Sequence, residues 1–163
     1  GSSGEVSDPK WQLEFVSRVA FERQPILNKA EVPLLFLLEE VIRDLNCGLR
    51  VMAQTSMGEI FRPRQGSASR HDCNLAFRSI NSKRFDFVIV DRFGLPVLVV
   101  EYQGAGHYRE QSFMRDAVKR EVVRKADVAF LEIPAKYRRQ KIYEELRALL
   151  HQQNVATARP RID

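Results

Sequence analysis

Apolar residues recur along the chain in two rhythms. Leu34, Leu37, Leu38, Val41, Ile42 and Leu45 follow the three- and four-residue spacing that gathers side chains on one face of an α-helix. Asn28-Lys29-Ala30-Glu31 just before them has the form of a capping box, in which the Asn side chain caps a backbone N–H and the glutamate reaches back three residues. A helix is therefore expected over residues 29–46, with Pro33 in its first turn, where a missing N–H costs least, and Cys47-Gly48 at its end. Upstream, Trp11, Phe15 and Val19 predict a short packing helix that breaks at Gln24-Pro25. Residues 49–61 alternate weakly, as a strand would, and Arg62 to Arg70 form a basic loop rich in helix and strand breakers. Residues 74–80 fit neither rhythm. The runs RFDFVIVD (residues 84–91) and PVLVVEYQ (residues 96–103) are the clearest strands, joined by Arg92-Phe93-Gly94-Leu95. Met114, Val118, Val122 and Ala126 then mark a helix over about residues 111–126, residues 128–133 a buried strand stopped by Pro134, and Ile142, Leu146, Leu149 and Leu150 a last amphipathic helix within residues 136–153. The order helix, strand, strand, strand, helix, strand, helix predicts an α/β fold, not a bundle or an all-β protein.

Composition narrows the class without naming a function. The 163 residues suit one domain with a real core. Gly1-Ser2-Ser3-Gly4 looks like a cloning scar, so the expectation is one domain (residues 25–153) cut from a longer protein, with an N-terminal extension over residues 5–24 and a basic tail over residues 154–163. At 44% hydrophobic residues the chain is too apolar for disorder, and no apolar run approaches the length of a membrane span. Cys47 and Cys73 form no CxxC, so neither a disulfide framework nor a zinc knuckle is expected, and a reducing, cytoplasmic setting is the default. Twenty-six Lys and Arg against 21 Asp and Glu leave a net charge of +5, which permits a polyanionic partner.

The candidate chemistry lies in the two clearest strands. Asp86 interrupts one and Glu101 ends the other. If Arg92 to Leu95 form a four-residue hairpin loop, Asp91 faces Pro96 and Asp86 lies opposite Glu101. Like charges placed so are destabilising unless something positive sits between them, and a divalent cation with oxygen ligands is the natural candidate. Gln103 shares the face of Glu101 and would bring a third polar group to the same spot. The plainer alternative makes the two acids ordinary strand-end residues, one of them paired with Arg84. On the following helix, Arg115 and Lys119 fall within or beside the inward stripe, either as site cations or as stems packed on the core with heads in water. His107 could hold a metal, move a proton or contact phosphate. Glu31 already serves as the box residue, so a metal role for it is secondary. Arg62, Arg64 and Arg70 in the loop, with Lys136, Arg138, Arg139, Lys141 and Arg147 in and before the last helix, form either solvated faces or a phosphate-gripping surface.

Asp86 followed by Glu101-Tyr102-Gln103, on hairpin strands in this element order, resembles the PD-(D/E)XK restriction-endonuclease-like superfamily. Asn28-Lys29-Ala30-Glu31, Phe85-Asp86-Phe87-Val88, residues 100–107 (VEYQGAGH) and Arg115-Asp116-Ala117-Val118-Lys119 together resemble, over about residues 24–150, a bacterial family of unknown function related to very-short-patch-repair endonucleases. The resemblance implies an αβββαβ core with a mixed central sheet flanked by helices. It also implies a DNA-cleaving phosphodiesterase using Mg²⁺ or Mn²⁺, with Asp86 and Glu101 as the motif acids and Glu31 as the first-helix glutamate. The motif lysine is Gln103 here, and Lys119 or Arg115 is placed to substitute for it. The expected site is thus catalytic Asp86, Glu101, Gln103, Lys119, Arg115 and His107, with metal held by Asp86, Glu101, Glu31 and Gln103, and nucleic acid met by Arg62, Arg64, Arg138, Arg139 and Lys141. The alternative is a catalytically inactive nucleic-acid-binding or assembly module that keeps the nuclease fold, or a surface serving a protein partner.

Overall fold

The structure, a computed structural model, describes residues 7–104 and 110–157, with the side chains of residues 110–115 and 154–157 excepted. The element order is α1 (Pro9–Ser17), α2 (Val32–Leu45), β1 (Arg50–Ser56), α3 (Met57–Ile60), α4 (Arg70–Ile80), β2 (Arg84–Val90), β3 (Pro96–Gln103), α5 (Glu110–Lys125), β4 (Ala129–Pro134) and α6 (Arg139–Thr157). The four strands form one mixed sheet in the order β1-β2-β3-β4. β1 to β3 meander antiparallel, and β4 returns parallel to β3 after the crossover through α5.

Two apolar layers hold the sheet. On one side Leu34, Leu37, Leu38 and Val41 of α2 and Ile142, Leu146 and Leu150 of α6 pack on Phe87, Ile89, Leu98 and Val100. On the other, Val88, Val90 and Val99 meet Val123 of α5 and the group Met57, Phe61, Ile80 and Phe85. The central strands are apolar on both faces because both faces are covered. The expected capping box is present: the Asn28 side chain accepts from the Glu31 N–H at 2.9 Å, and Glu31 Oε1 accepts from the Asn28 N–H at 3.1 Å.

Several expectations are corrected. Residues 70–80, part of which fitted neither rhythm, are helix α4, whose N-cap Ser69 accepts from the Asp72 N–H. β1 ends at Ser56, five residues early, because Met57 turns inward as a fully buried anchor and its N–H donates to the Lys83 carbonyl. Helix α1 forms but buries none of its residues, so it is not the packing helix expected. The hairpin register shifts between Ile89 and Val90: Val90, not Asp91, pairs with Pro96, and Asp91 donates its N–H to the Leu95 carbonyl. α6 runs on to Thr157, into the stretch expected to be tail.

Candidate active site

The β2–β3 ladder runs from Ile89↔Leu98 to Phe87↔Val100, and the next pair along it is Asp86 opposite Glu101. Here side chains take over from the backbone ladder. The Asp86 N–H donates to Glu101 Oε2 at 3.0 Å, and the Tyr102 N–H donates to Asp86 Oδ2 at 2.8 Å. Each carboxylate is thereby fixed by the backbone of the opposite strand. Carboxyl oxygens thus accept from the two N–H groups in place of ladder carbonyls.

The positive charge that such a pair requires comes from α5. Lys119 Nζ lies 2.6 Å from Glu101 Oε1, and the two side chains are only 13% and 12% exposed. Val118 and Val122 pack against the second core layer, and Val123 is fully buried within it; this sets the rotation of α5 that carries Lys119 inward. The ammonium also lies 5.9 Å from the centre of the Phe85 ring, which is itself held edge-on by Phe61. Burial is the main reason that the Glu101 carboxyl is raised far above the usual carboxylate range, from 4.5 to about 8; the hydrogen bond and charge of Asp86 add to the rise, and Lys119 opposes it.

The remaining expected residues are not all gathered there. Gln103 is exposed, and its amide donates to Glu132 Oε2, while Arg120 pairs with Glu132 Oε1. The register Glu101↔Glu132 sets that acid on the same sheet face and draws Gln103 toward β4. So the expected convergence of Asp86, Glu101 and Gln103 is corrected to the two acids with Lys119. Glu31 is the most completely buried charged residue described, with Oε1 engaged in the capping box and Oε2 accepting from Gln54 Nε2 at 3.5 Å. Among the described residues no three His, Cys, Asp or Glu side chains come together as a metal-holding group. His107 and the side chain of Arg115 lie outside the described residues. Arg62, Arg64, Arg138 and Lys141 are exposed, whereas Arg139 is paired with Glu40.

Sequence reasoning missed Glu132, Arg120 and Gln54. Glu132 carries the signal that singled out Asp86, an acid inside an apolar strand. Gln54 gave less: one amide in a weakly alternating run. A magnesium ion completes its octahedron mostly with water and needs only one or two carboxylates. The Asp86–Glu101 pair fits that donor set, and a Zn²⁺ site built from Cys and His does not fit it.

The fold and site together define an α/β protein with a pair of strand carboxylates, one of them, Glu101, paired with Lys119 of α5. The chain belongs to DUF2726, a family of proteins of unknown function, whose model matches residues 23–152. An uncharacterized protein of Haemophilus influenzae is 42% identical over 125 residues, covering 77% of this chain and 62% of its own length. The uncharacterized protein y4bI of Sinorhizobium fredii is 35% identical over 115 residues, 71% of this chain and 78% of its own. The chain therefore spans less than two thirds of the Haemophilus relative. No solved structure matches the chain.

Proposed function

We propose that this domain is a metal-dependent nuclease that hydrolyses DNA phosphodiester bonds in the cytoplasm, with Mg²⁺ or Mn²⁺ as its cofactor. The observation that carries the reading is the half-buried group of Asp86, Glu101 and Lys119, two carboxyl groups and one ammonium where β2 and β3 part. The resemblance of the Asp86…Glu101-Tyr102-Gln103 pattern to the PD-(D/E)XK superfamily supports it. A divalent ion held by Asp86 and Glu101 would supply an acidified water and a positive charge beside the scissile phosphate. The chain's own part is to hold and aim. Asp86 and Glu101 are locked by opposite-strand N–H groups, so their oxygens are preorganised. Lys119 has three N–H donors, of which one engages Glu101 and the others can meet a non-bridging phosphate oxygen as its charge develops. The soft spot is Gln103, which cannot replace a motif lysine and is turned to Glu132. This favours, as the second reading, a nucleic-acid-binding module that keeps the fold without cutting.

Plasmid nicking in Mg²⁺ or Mn²⁺ separates the two. The wild type is expected to nick; Asp86→Ala should lose at least about 100-fold, of the order of one electrostatic group in a preorganised site. Lys119→Ala should lose cleavage far more than DNA affinity, and Lys125→Ala on the exposed side of α5 little of either. Nicking that survives Asp86→Ala assigns it to a contaminant. No nicking by the wild type, with DNA binding intact, selects the second reading.

A further inference from the structure

We infer that Gln54 is a positioning residue of this site, held in an unfavourable backbone conformation so that its amide couples Glu31 to the Asp86–Glu101 pair. Gln54 has φ +49° in the middle of β1. The other non-glycine residues at positive φ among those described are Asn46, at the end of α2, and Asp127, in a turn. Asn and Asp tolerate the left-handed region; a glutamine within a strand does not reach it without a cause. The register gives no cause, because no residue is gained or lost: Ala53 pairs with Phe87 and Thr55 with Phe85, so Gln54 stands opposite Asp86.

What the distortion achieves is a contact. Gln54 Nε2 reaches Glu31 Oε2, while Oε1 of the same carboxylate is engaged by the Asn28 N–H. A carboxylate only accepts hydrogen bonds, so the NH₂ end of the Gln54 amide must face Glu31, and its carbonyl oxygen is the end left to serve the acid pair. Glu31 itself is not gathered with Asp86 and Glu101. Gln54 thus supplies the link that Glu31 lacks, as a neutral oxygen in fixed orientation able to accept from a water on a metal held by the pair. Strain kept at such a position and offset by the rest of the fold belongs at a functional site.

The inference rests on the proposed metal-binding role of the pair, and the test keeps the two apart. Gln54→Gly removes the side chain but suits the left-handed backbone; Gln54→Met keeps length and strain but has no amide. Thermal melting without metal, Mn²⁺ affinity by water-proton relaxation, and nicking against Mn²⁺ concentration are measured for both. Expected results are a Gln54→Gly melting temperature at or above wild type and a Mn²⁺ affinity about 10-fold weaker in both variants, the size seen when partners of metal ligands are removed. Excess Mn²⁺ should restore most of the nicking. Wild-type Mn²⁺ affinity in both variants overturns the inference while leaving the proposed function standing. A Gln54→Gly melting temperature several degrees below wild type overturns it in favour of a purely structural residue. A wild type that binds no Mn²⁺ overturns the metal reading and the inference together.

Discussion

At Glu101 two demands conflict: burial favours the neutral acid, and Lys119 at 2.6 Å from Oε1 favours the carboxylate. With burial the larger, the carboxyl holds its proton to about pH 8 in the folded chain, whereas an unfolded glutamate releases it near 4.5. Between those values the unfolded state binds fewer protons than the native one, so stability falls as pH rises, by up to ~1.4 kcal/mol per pH unit. The contribution is fully present below about pH 4.5 and gone above about 8. Melting in EDTA from pH 5 to 9 should therefore show a decline that Glu101→Gln flattens, with the variant melting above wild type at the alkaline end. Parallel wild-type and variant profiles would remove Glu101 as the source. A divalent ion bound at the pair should reverse the slope, because it rewards the ionised carboxylate that burial penalises. The alternation of the strands gave each acid a face, but their opposition was expected from a four-residue hairpin loop with Asp91 facing Pro96. The shift between Ile89 and Val90 changes that loop, while the pairing from Ile89↔Leu98 to Phe87↔Val100 keeps the expected register. The ammonium that stabilises them was legible only as one side of an open choice, because the exact rotation of α5 decides it. That rotation is set by Val123, not the Ala126 of the expected stripe, for Val123 is fully buried and Ala126 exposed.

Among the elements, α2 was the most readable because every local signal agreed: box, proline position and apolar face. The box has a second use here, since the Glu31 carboxylate that reaches back to Asn28 also accepts from Gln54. Asn28→Ala should therefore cost ~1 kcal/mol of stability through the lost cap, and also loosen Mn²⁺ binding at the pair. Denaturant midpoint and metal titration on the same variant check both halves; a stability loss with unchanged Mn²⁺ affinity would confine Asn28 to the helix end. β1 was the least readable strand, and its end was misplaced for a physical reason. Nothing in MGEIF distinguishes an extended apolar run from one turn of helix, and the choice falls to tertiary contacts: Met57 is buried in one cluster with Phe85 and Ile80, and its N–H donates to the Lys83 carbonyl. The hairpin shows the converse. Its expected loop failed locally, as Asp91 caps the turn by accepting from the Phe93 and Leu95 N–H groups, yet the register at the far end is as expected because the apolar faces of β2 and β3 enforce it.

On the scale of the whole molecule, topology brings two basic segments to the end of the sheet that carries the acids. The crossover from Ser56 to Arg84 leaves and rejoins the sheet within two residues of Asp86, and it bears exposed Arg62, Arg64 and Arg70. β4 ends beside Gln103, where Pro134 is its partner, and the chain passes from there through exposed Lys136 and Arg138 into α6. No helix among the described residues is long and apolar enough to cross a membrane. A polyanion running across the sheet end would meet cations on both sides of the carboxylate pair, which suits the proposed DNA substrate. Each phosphate neutralised releases counterions, so the slope of log K against log salt is about −0.9 per contact on duplex DNA. Replacing Arg62 and Arg64 together by Ala should weaken binding to unrelated sequences alike and flatten that slope by up to about two units. Arg138→Ala with Lys141→Ala should do the same from the other flank. Arg139→Ala should change it little, because that guanidinium is already paired with Glu40. Fluorescence anisotropy across a salt series measures all three, and a slope unmoved by either double variant would place DNA elsewhere on the molecule. A larger effect from Arg139→Ala than from Arg138→Ala with Lys141→Ala would mean that Glu40 releases its partner when DNA binds.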